Sequence, residues 1–317
     1  MSDFRLTGER CSGAAWASIA GLLSVLSLLG ACTDLPQKAS ATAFIPYLTT
    51  RGLREGANGE IDYSTDVSAV SGGECRVDLF DGEDLEAANV SHAARPSDTV
   101  MAGFDGNAAE GILVYVHGYN TDLERACRDA AVLAYRTGYL GRILLFSWPA
   151  STAVVTYWKD EKRIADSLPA IMARLDALGD RYGYDKIKIV AHSMGSRLAL
   201  EAMAPPTQNQ RFDDLVLIAP DIDREMFIDA LPVLQQRVKR VSVIVSEADR
   251  LLMLSQAVNL GERLGQASDF VAAGVEVVDV SGFEGLGFGG HLYHLESDRV
   301  AEILKLILMT TPVNDEH

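Results

Sequence analysis

Residues 189–200 read IVAHSMGSRLAL. An apolar run, Ile187 to Ala191 broken only by Lys188, ends in His192-Ser193-Met194-Gly195, and a Leu/Ala-rich segment follows at once. This is the pattern of a buried strand turning sharply into a helix, with a serine at the turn. It is one glycine short of the nucleophile-elbow signature G-x-S-x-G, because Ala191 stands at the first glycine position. Small residues at 191 and 195 suit a strained turn with closely packed neighbours, and such a turn holds a serine hydroxyl clear of a sheet. The pentapeptide alone leaves Ser193 as either a nucleophile or an ordinary serine at a helix start.

Outward from this stretch, apolar runs of about five residues recur at Ile112–Val116, Ile143–Phe146, Leu215–Ala219, Val241–Val245 and Val275–Val280. Most are continuous and β-branched rather than alternating, as expected of strands buried on both faces of a parallel sheet. Helical patterns lie between them. Thr121-Asp122-Leu123-Glu124 reads as a capping box, Thr121 and Glu124 satisfying the first amides of a helix that runs to about Gly138. Ile164, Leu168, Ile171, Leu175 and Leu178 keep helical spacing over 160–182, with Pro169 as a kink or a true start. The helix after Ser193 runs to Ala204 and stops at Pro205-Pro206, and Ser297 can cap a last helix carrying Val300, Ile303, Leu304 and Ile307. Residues 45–100 are rich in Gly, Asp and Ser, with short strand-like pieces such as ECRVDLF. The fold class is α/β, a doubly wound, mostly parallel sheet in one domain over 44–312, with 313–317 as a tail. About fifteen residues separate Asp223 from Val238, room for one short helix and no large cap.

Ligands of an open α/β sheet sit at the carboxyl ends of its strands. A serine needs a base, and the base an orienting acid. Past the Val241–Val245 strand stands Asp249, in SEADRLLMLS, and past Val275–Val280 stands His291, in a Gly-rich loop before the last helix. Ser193, Asp249 and His291 thus follow the chain order Ser…Asp…His. Glu247, Asp221 and Asp223 are alternative acids, and His294 an alternative base. His192, inside the elbow, reads as a residue that packs or tunes. His117, after Val116, reads as structural. Tyr119, Trp148, Tyr157 and Trp158 are candidates for an apolar acyl wall or for core.

The chain resembles the α/β-hydrolase superfamily, and more closely a bacterial group of largely uncharacterised esterase/lipase-like proteins. The resemblance rests on YLTTR (47–51), ILVYVHGYN (112–120), LLFSWPA (144–150), VAHSMGSR (190–197), LIAPDID (217–223), VSEADRLL (245–252) and GHLY (290–293). It implies a serine hydrolase of carboxylic esters, with Ser193, Asp249 and His291 as triad. The backbone amides of Met194 and Tyr119 would form the oxyanion hole, Gly118 letting the HG loop turn inward. No cofactor or metal is implied. The alternatives are a peptidase or amidase on the same triad, and a lipid-tethered binding or assembly protein on a degenerate hydrolase scaffold.

The chain has 317 residues and a formal charge of −16, which argues against nucleic acid and against electrostatic attachment to anionic lipid. A covalent route to a membrane is written at the N-terminus. Ala14 to Ala31 is apolar, follows Arg5 and Arg10, and closes on Leu29-Gly30-Ala31-Cys32, which resembles a bacterial lipobox. The expectation is a signal peptide over 1–31, a lipid on Cys32, a polar tether over 32–43 and a place in the bacterial cell envelope. An uncleaved membrane anchor is the alternative. Of the four cysteines, Cys75 and Cys127 would remain in the folded domain. Cys127 falls on the apolar stripe of a helix and reads as a buried free thiol, although an oxidising periplasm permits a disulfide with Cys75. No Cys/His cluster shows metal-ligand spacing.

Overall fold

An uninterrupted apolar strand is stable only where both its faces are covered, and the runs identified above occupy the middle of such a sheet. The computed structural model describes residues 41–55, 61–80, 89–104, 111–151, 157–204, 210–259, 261–283 and 289–310. Nine strands form one sheet: β1 (Ala41–Glu55), β2 (Ile61–Leu79), β3 (Asn89–Arg95), β4 (Ile112–Val116), β5 (Arg142–Ser147), β6 (Ile187–His192), β7 (Phe212–Ile218), β8 (Val238–Val245) and β9 (Val275–Asp279). Their spatial order is β3-β2-β1-β5-β4-β6-β7-β8-β9. From β1 across to β9 all neighbours are parallel, while β1, β2 and β3 form an antiparallel meander at one edge.

The helices are α1 (Ser97–Ala102), α2 (Leu123–Thr137), α3 (Tyr157–Tyr182), α4 (Gly195–Met203), α5 (Arg224–Arg237), α6 (Arg250–Asn259), α7 (Tyr293–Glu296) and α8 (Asp298–Met309). Two cores result, one on each face of the sheet. Side chains of α3, α4 and α5 pack with Val114, Ile189 and Leu217 on one face, and those of α2, α7 and α8 pack with Leu113, Tyr115 and Val190 on the other. The alternation of strand and helix therefore gives the expected doubly wound α/β fold. Lys188, the polar break in β6, is buried but neutralised by Asp213 and Asp214 on the adjacent β7. Between Asp223 and Val238 lies the single helix α5.

Four details depart from the sequence reading. Strand β1 starts at Ala41, inside the segment read as tether, and it pairs with the long β2 rather than with short pieces, because register shifts between Thr49, Arg51 and Leu53 let the hairpin continue. Helix α2 is capped by Asp122, which accepts from the Arg125 amide at 2.8 Å. Thr121 instead donates to the carbonyl of Tyr119, because its backbone belongs to the preceding loop. Helix α3 runs through Pro169, whose exposed position leaves the lost amide bond facing water. Cys127 is buried as expected but is not free. It forms a disulfide with Cys75, because β2 presents Cys75 to the same buried face that α2 covers, with Cα atoms 6.2 Å apart. The start and stop of α4 and the Ser297 cap of α8 match the sequence reading, while Pro205-Pro206, the 1–31 leader, Cys32 and the 313–317 tail lie outside the described residues.

Candidate active site

Ser193 follows β6 with φ 51°, a left-handed conformation that non-glycine residues seldom adopt. Such a residue costs on the order of 1–3 kcal/mol and persists only where its surroundings hold it. Here its amide donates to Ile218 O at 2.9 Å, and its carbonyl accepts from the Asp221 amide at 3.2 Å. Small neighbours are required. A Cβ on Gly195 would stand 2.3 Å from the carbonyl oxygen of His117, and one on Gly118 would stand 3.0 Å from Cβ of Ser193. The β4 loop, the serine turn and the start of α4 therefore touch backbone to backbone, and Ala191 is fully buried in the strand below.

The acid and base positions meet directly. His291 Nδ1 lies 2.6 Å from Asp249 Oδ2, and Asp249 Oδ1 accepts the amides of Leu251 and Leu252, each at 3.0 Å. Asp249 is wholly buried and caps the start of α6, so both its oxygens are engaged. Gly289 and Gly290, at φ 89° and 63°, turn the chain so that it lies on the Ala248–Arg250 loop, and Gly289 O accepts the Arg250 amide. The glycines thus position His291 on its acid. The elbow reaches the same place through His192, whose Nε2 donates to the carbonyl of His291 at 3.1 Å and whose ring centroid lies 4.7 Å from that of His291.

The alternatives have other partners. Asp223 caps α5, Asp221 accepts from Ser255 and pairs with Arg263, and the exposed Glu247 accepts from Ser268. His294 is fully buried against His192, with Nε2 3.4 Å from the hydroxyl of Tyr115. Burial holds His192 well below the usual imidazole range and brings His294 down to about 3, with neighbouring imidazoles adding to the effect. Both rings are therefore neutral.

The loop from His117 to Thr121 is held from several sides. His117 Nδ1 bonds the carbonyl of Gly118 at 2.8 Å, and its Nε2 lies 3.2 Å from Ser147 Oγ. Its ring stacks on Trp148, with centroids 5.5 Å apart, and Trp148 Nε1 donates to His117 O at 2.8 Å. Trp148 is fully buried and packs as core against this loop. Tyr119 is partly buried against the core, while the side chains of Tyr157 and Trp158 lie outside the described residues.

Arg51 is the site residue that sequence reasoning missed. It is 1% exposed, and it donates from Nε to Ser147 Oγ at 2.9 Å and from Nη2 to Thr121 O at 2.6 Å. Burial lowers the guanidinium to about 10, with the charges of Asp122 and Asp160 partly opposing the shift. The available signal was its place at the end of the YLTTR stretch, which carries the resemblance with no role attached to it, and arginine is a residue type almost never buried without partners. Among the described residues no His/Cys/Asp/Glu group could hold a metal ion, and no helix is long and apolar enough to cross a membrane.

A family model described as an alpha/beta hydrolase of unknown function (DUF900) matches residues 94–309. Among solved structures the chain is similar to an esterase from Pyrobaculum calidifontis, at 13% identity over 86% of either chain with a TM-score of 0.39. It is also similar to fungal esterases from Rhizomucor miehei (14% identity, 83% of this chain and 82% of that chain, TM-score 0.40). A third likeness is to MenH from S. aureus (12% identity, 63% of this chain and 93% of that chain, TM-score 0.36). No curated protein matches the chain.

Proposed function

The chain belongs to this family of α/β hydrolases of unknown function, and from that premise we propose that it is a serine hydrolase of carboxylic esters. The observation that carries the reading is the pairing of His291 Nδ1 with a fully engaged Asp249, beside a serine turn held at φ 51°. With its Nδ1 proton donated to Asp249, neutral His291 keeps the Nε2 lone pair as a base. In the proposed reaction Ser193 Oγ attacks the ester carbonyl and its proton passes to His291 Nε2. The carbonyl oxygen becomes an oxyanion facing the amides of Met194 and Tyr119. Collapse expels the alcohol, which takes the proton from His291, and leaves an acyl group on Ser193. Water then attacks that carbonyl, gives its proton to His291, and releases the acid as the proton returns to Ser193.

A fluorophosphonate probe and a panel of p-nitrophenyl esters of increasing chain length test the reading. Labelling and turnover are expected in the wild type and absent in Ser193→Ala. Labelling that survives Ser193→Ala, or a wild type that turns over none of the panel, would overturn it.

The proposal extends to location. Leu29-Gly30-Ala31-Cys32 supports lipidation of Cys32 and attachment to the bacterial envelope, and the Cys75–Cys127 disulfide is supportive because such bonds persist in oxidising compartments. Mass spectrometry of the mature N-terminus is expected to find a diacylated Cys32. A chain that keeps Met1 would sink this part.

A further inference from the structure

We propose that Arg51 and Ser147 are positioning residues that fix the direction of a hydrogen-bond chain, Arg51 to Ser147 to His117 to the carbonyl of Gly118, and thereby aim the Tyr119 amide at the reacting oxygen. The inference rests on the hydrolase reading for its consequence and on geometry alone for the chain itself.

The direction follows from donor chemistry. A carbonyl oxygen only accepts, so the 2.8 Å contact between His117 Nδ1 and Gly118 O requires the proton on Nδ1. His117 is buried beside a guanidinium and is held low, at about 3, so it carries one proton and its Nε2 is a bare acceptor. That acceptor is 3.2 Å from Ser147 Oγ and 3.5 Å from Arg51 Nη2, so the guanidinium reaches it both through the serine and directly. Nothing about the serine by itself fixes which way its hydroxyl points. Arg51 does, because a guanidinium has donors and no acceptor: its Nε, 2.9 Å from Ser147 Oγ, takes up a serine lone pair and turns the serine proton towards His117. The same guanidinium holds the far end of the loop through Thr121 O.

The last link is the peptide plane. Gly118 C=O and Tyr119 N–H belong to one trans peptide, so they point in opposite directions. Pinning the carbonyl on His117 fixes where the Tyr119 amide points. Were His117 protonated on Nε2 instead, Nδ1 would present a lone pair to the Gly118 carbonyl, and that peptide would be free to rotate. An oxyanion donor is effective only when its orientation is set before the reaction, and losing one costs roughly 100- to 1,000-fold in kcat. Loss of the positioning chain, with the donor still present, is expected to cost less.

The test reads the tautomer and the rate separately. Two-bond nitrogen–proton NMR correlations on 15N-histidine-labelled protein are expected to show His117 as the Nδ1–H tautomer in the wild type. In Arg51→Met, which removes the relayed and the direct donor together, that tautomer is expected to give way to a mixture, and in Ser147→Ala, which leaves Arg51 Nη2 3.5 Å from Nε2, to give way to a smaller extent. With p-nitrophenyl butyrate, kcat is expected to fall about tenfold in both, with KM within twofold, and Arg51→Lys, which keeps a donor, is expected to recover part of the loss. Ser147→Ala, a minimal truncation, carries the decision should Arg51→Met not fold. An Nε2–H tautomer in the wild type, or an Nδ1–H tautomer and kcat unchanged in Ser147→Ala, would overturn the proposal. A wild type that shows the Nδ1–H tautomer but turns over no ester would defeat the hydrolase reading and leave the hydrogen-bond chain standing.

Discussion

Asp249 divides its two oxygens between two tasks: Oδ2 lies 2.6 Å from His291 Nδ1, and Oδ1 accepts the amides of Leu251 and Leu252 at the start of α6. The division makes Asp249→Asn a sharp test. The backbone amides require the Asn oxygen at their end, so the Asn NH2 must face His291 Nδ1. That would force the imidazole proton onto Nε2, where the base is needed. We expect kcat to fall by on the order of a thousandfold or more, with KM little changed. The helix cap survives in Asn, so the Tm should stay within a few degrees of wild type. Steady-state kinetics beside thermal unfolding checks both, and a kcat within tenfold of wild type would rule out Asp249 as the orienting acid.

Gly195 and Ala191 occupy the two glycine positions of the elbow signature, and the structure separates them. A Cβ on Gly195 would stand 2.3 Å from His117 O and 2.8 Å from Val116 O, both backbone atoms that cannot swing aside. Gly195→Ala is therefore expected to destabilise the fold by about 1–3 kcal/mol and to lower kcat, because the clash displaces the oxyanion loop. Ala191→Gly, which restores the full signature, is expected to cost about 0.5–1 kcal/mol through added strand flexibility and to leave kcat within a few-fold. Chemical denaturation and ester kinetics of the two variants check the contrast. A more active, equally stable Ala191→Gly would mean that the alanine compromises the turn.

What the sequence made legible follows from interaction range. Strands β4 to β9 could be read because a continuous apolar run reports burial on both faces within five or six residues. Ser193 and Asp249 could be singled out as candidates because they stand two and four residues past such a run, whereas His291, eleven residues past Val280, is picked out by the Gly-rich loop that carries it and by chain order. Arg51 could not, since its partners Ser147 and Thr121 are 96 and 70 residues away and only the β1–β5 pairing brings them together. The disulfide was hidden for a similar reason. The apolar stripe of α2 correctly placed Cys127 in the core and ECRVDLF marked Cys75 as strand, but nothing local to either segment shows that the two, 52 residues apart, share a face of the sheet. The capping error was local: Thr121 and Asp122 are both good caps, and backbone geometry alone decided between them.

The Cys75–Cys127 bond closes a loop of 52 residues and ties β2 to the helix that follows the oxyanion loop. Loop-closure entropy for that length corresponds to about 4 kcal/mol, an upper figure because unfolded chains retain some structure. Cys75→Ala with Cys127→Ala, measured by urea denaturation, should lower unfolding free energy by about 2–4 kcal/mol. Reduction of the wild type under the same conditions should reproduce most of that loss. Loss of less than about 1 kcal/mol would show that packing of α2, rather than the cross-link, holds this edge.

Three imidazoles buried in neutral form set the acid side of the stability profile. His117 and His294 are brought down to about 3 and His192 is held well below its usual range, burial being the first cause in each case. In the unfolded chain each takes up a proton near pH 6.5. Between pH 6.5 and about 3 the unfolded state therefore binds more protons than the folded one, and stability falls as pH falls through that window. Each group contributes a slope of at most about 1.4 kcal/mol per pH unit, so the three together reach roughly 4. Asp129 works the other way. Burial raises it to about 7, so it is protonated in the folded state while its unfolded counterpart is ionised, and acidification through the same window favours folding by at most about 1.4 kcal/mol per unit. Asp160, which burial also raises, adds to the Asp129 side, and the balance predicts a net loss of about 1–2 kcal/mol from pH 6 to pH 5. His294→Gln, which can still bond the Tyr115 hydroxyl, should flatten the profile by about 1 kcal/mol per unit. Urea denaturation at pH 7, 6 and 5 on both proteins decides the matter, and a wild-type stability that holds level or rises towards pH 5 would mean that these histidines do not remain neutral in the fold.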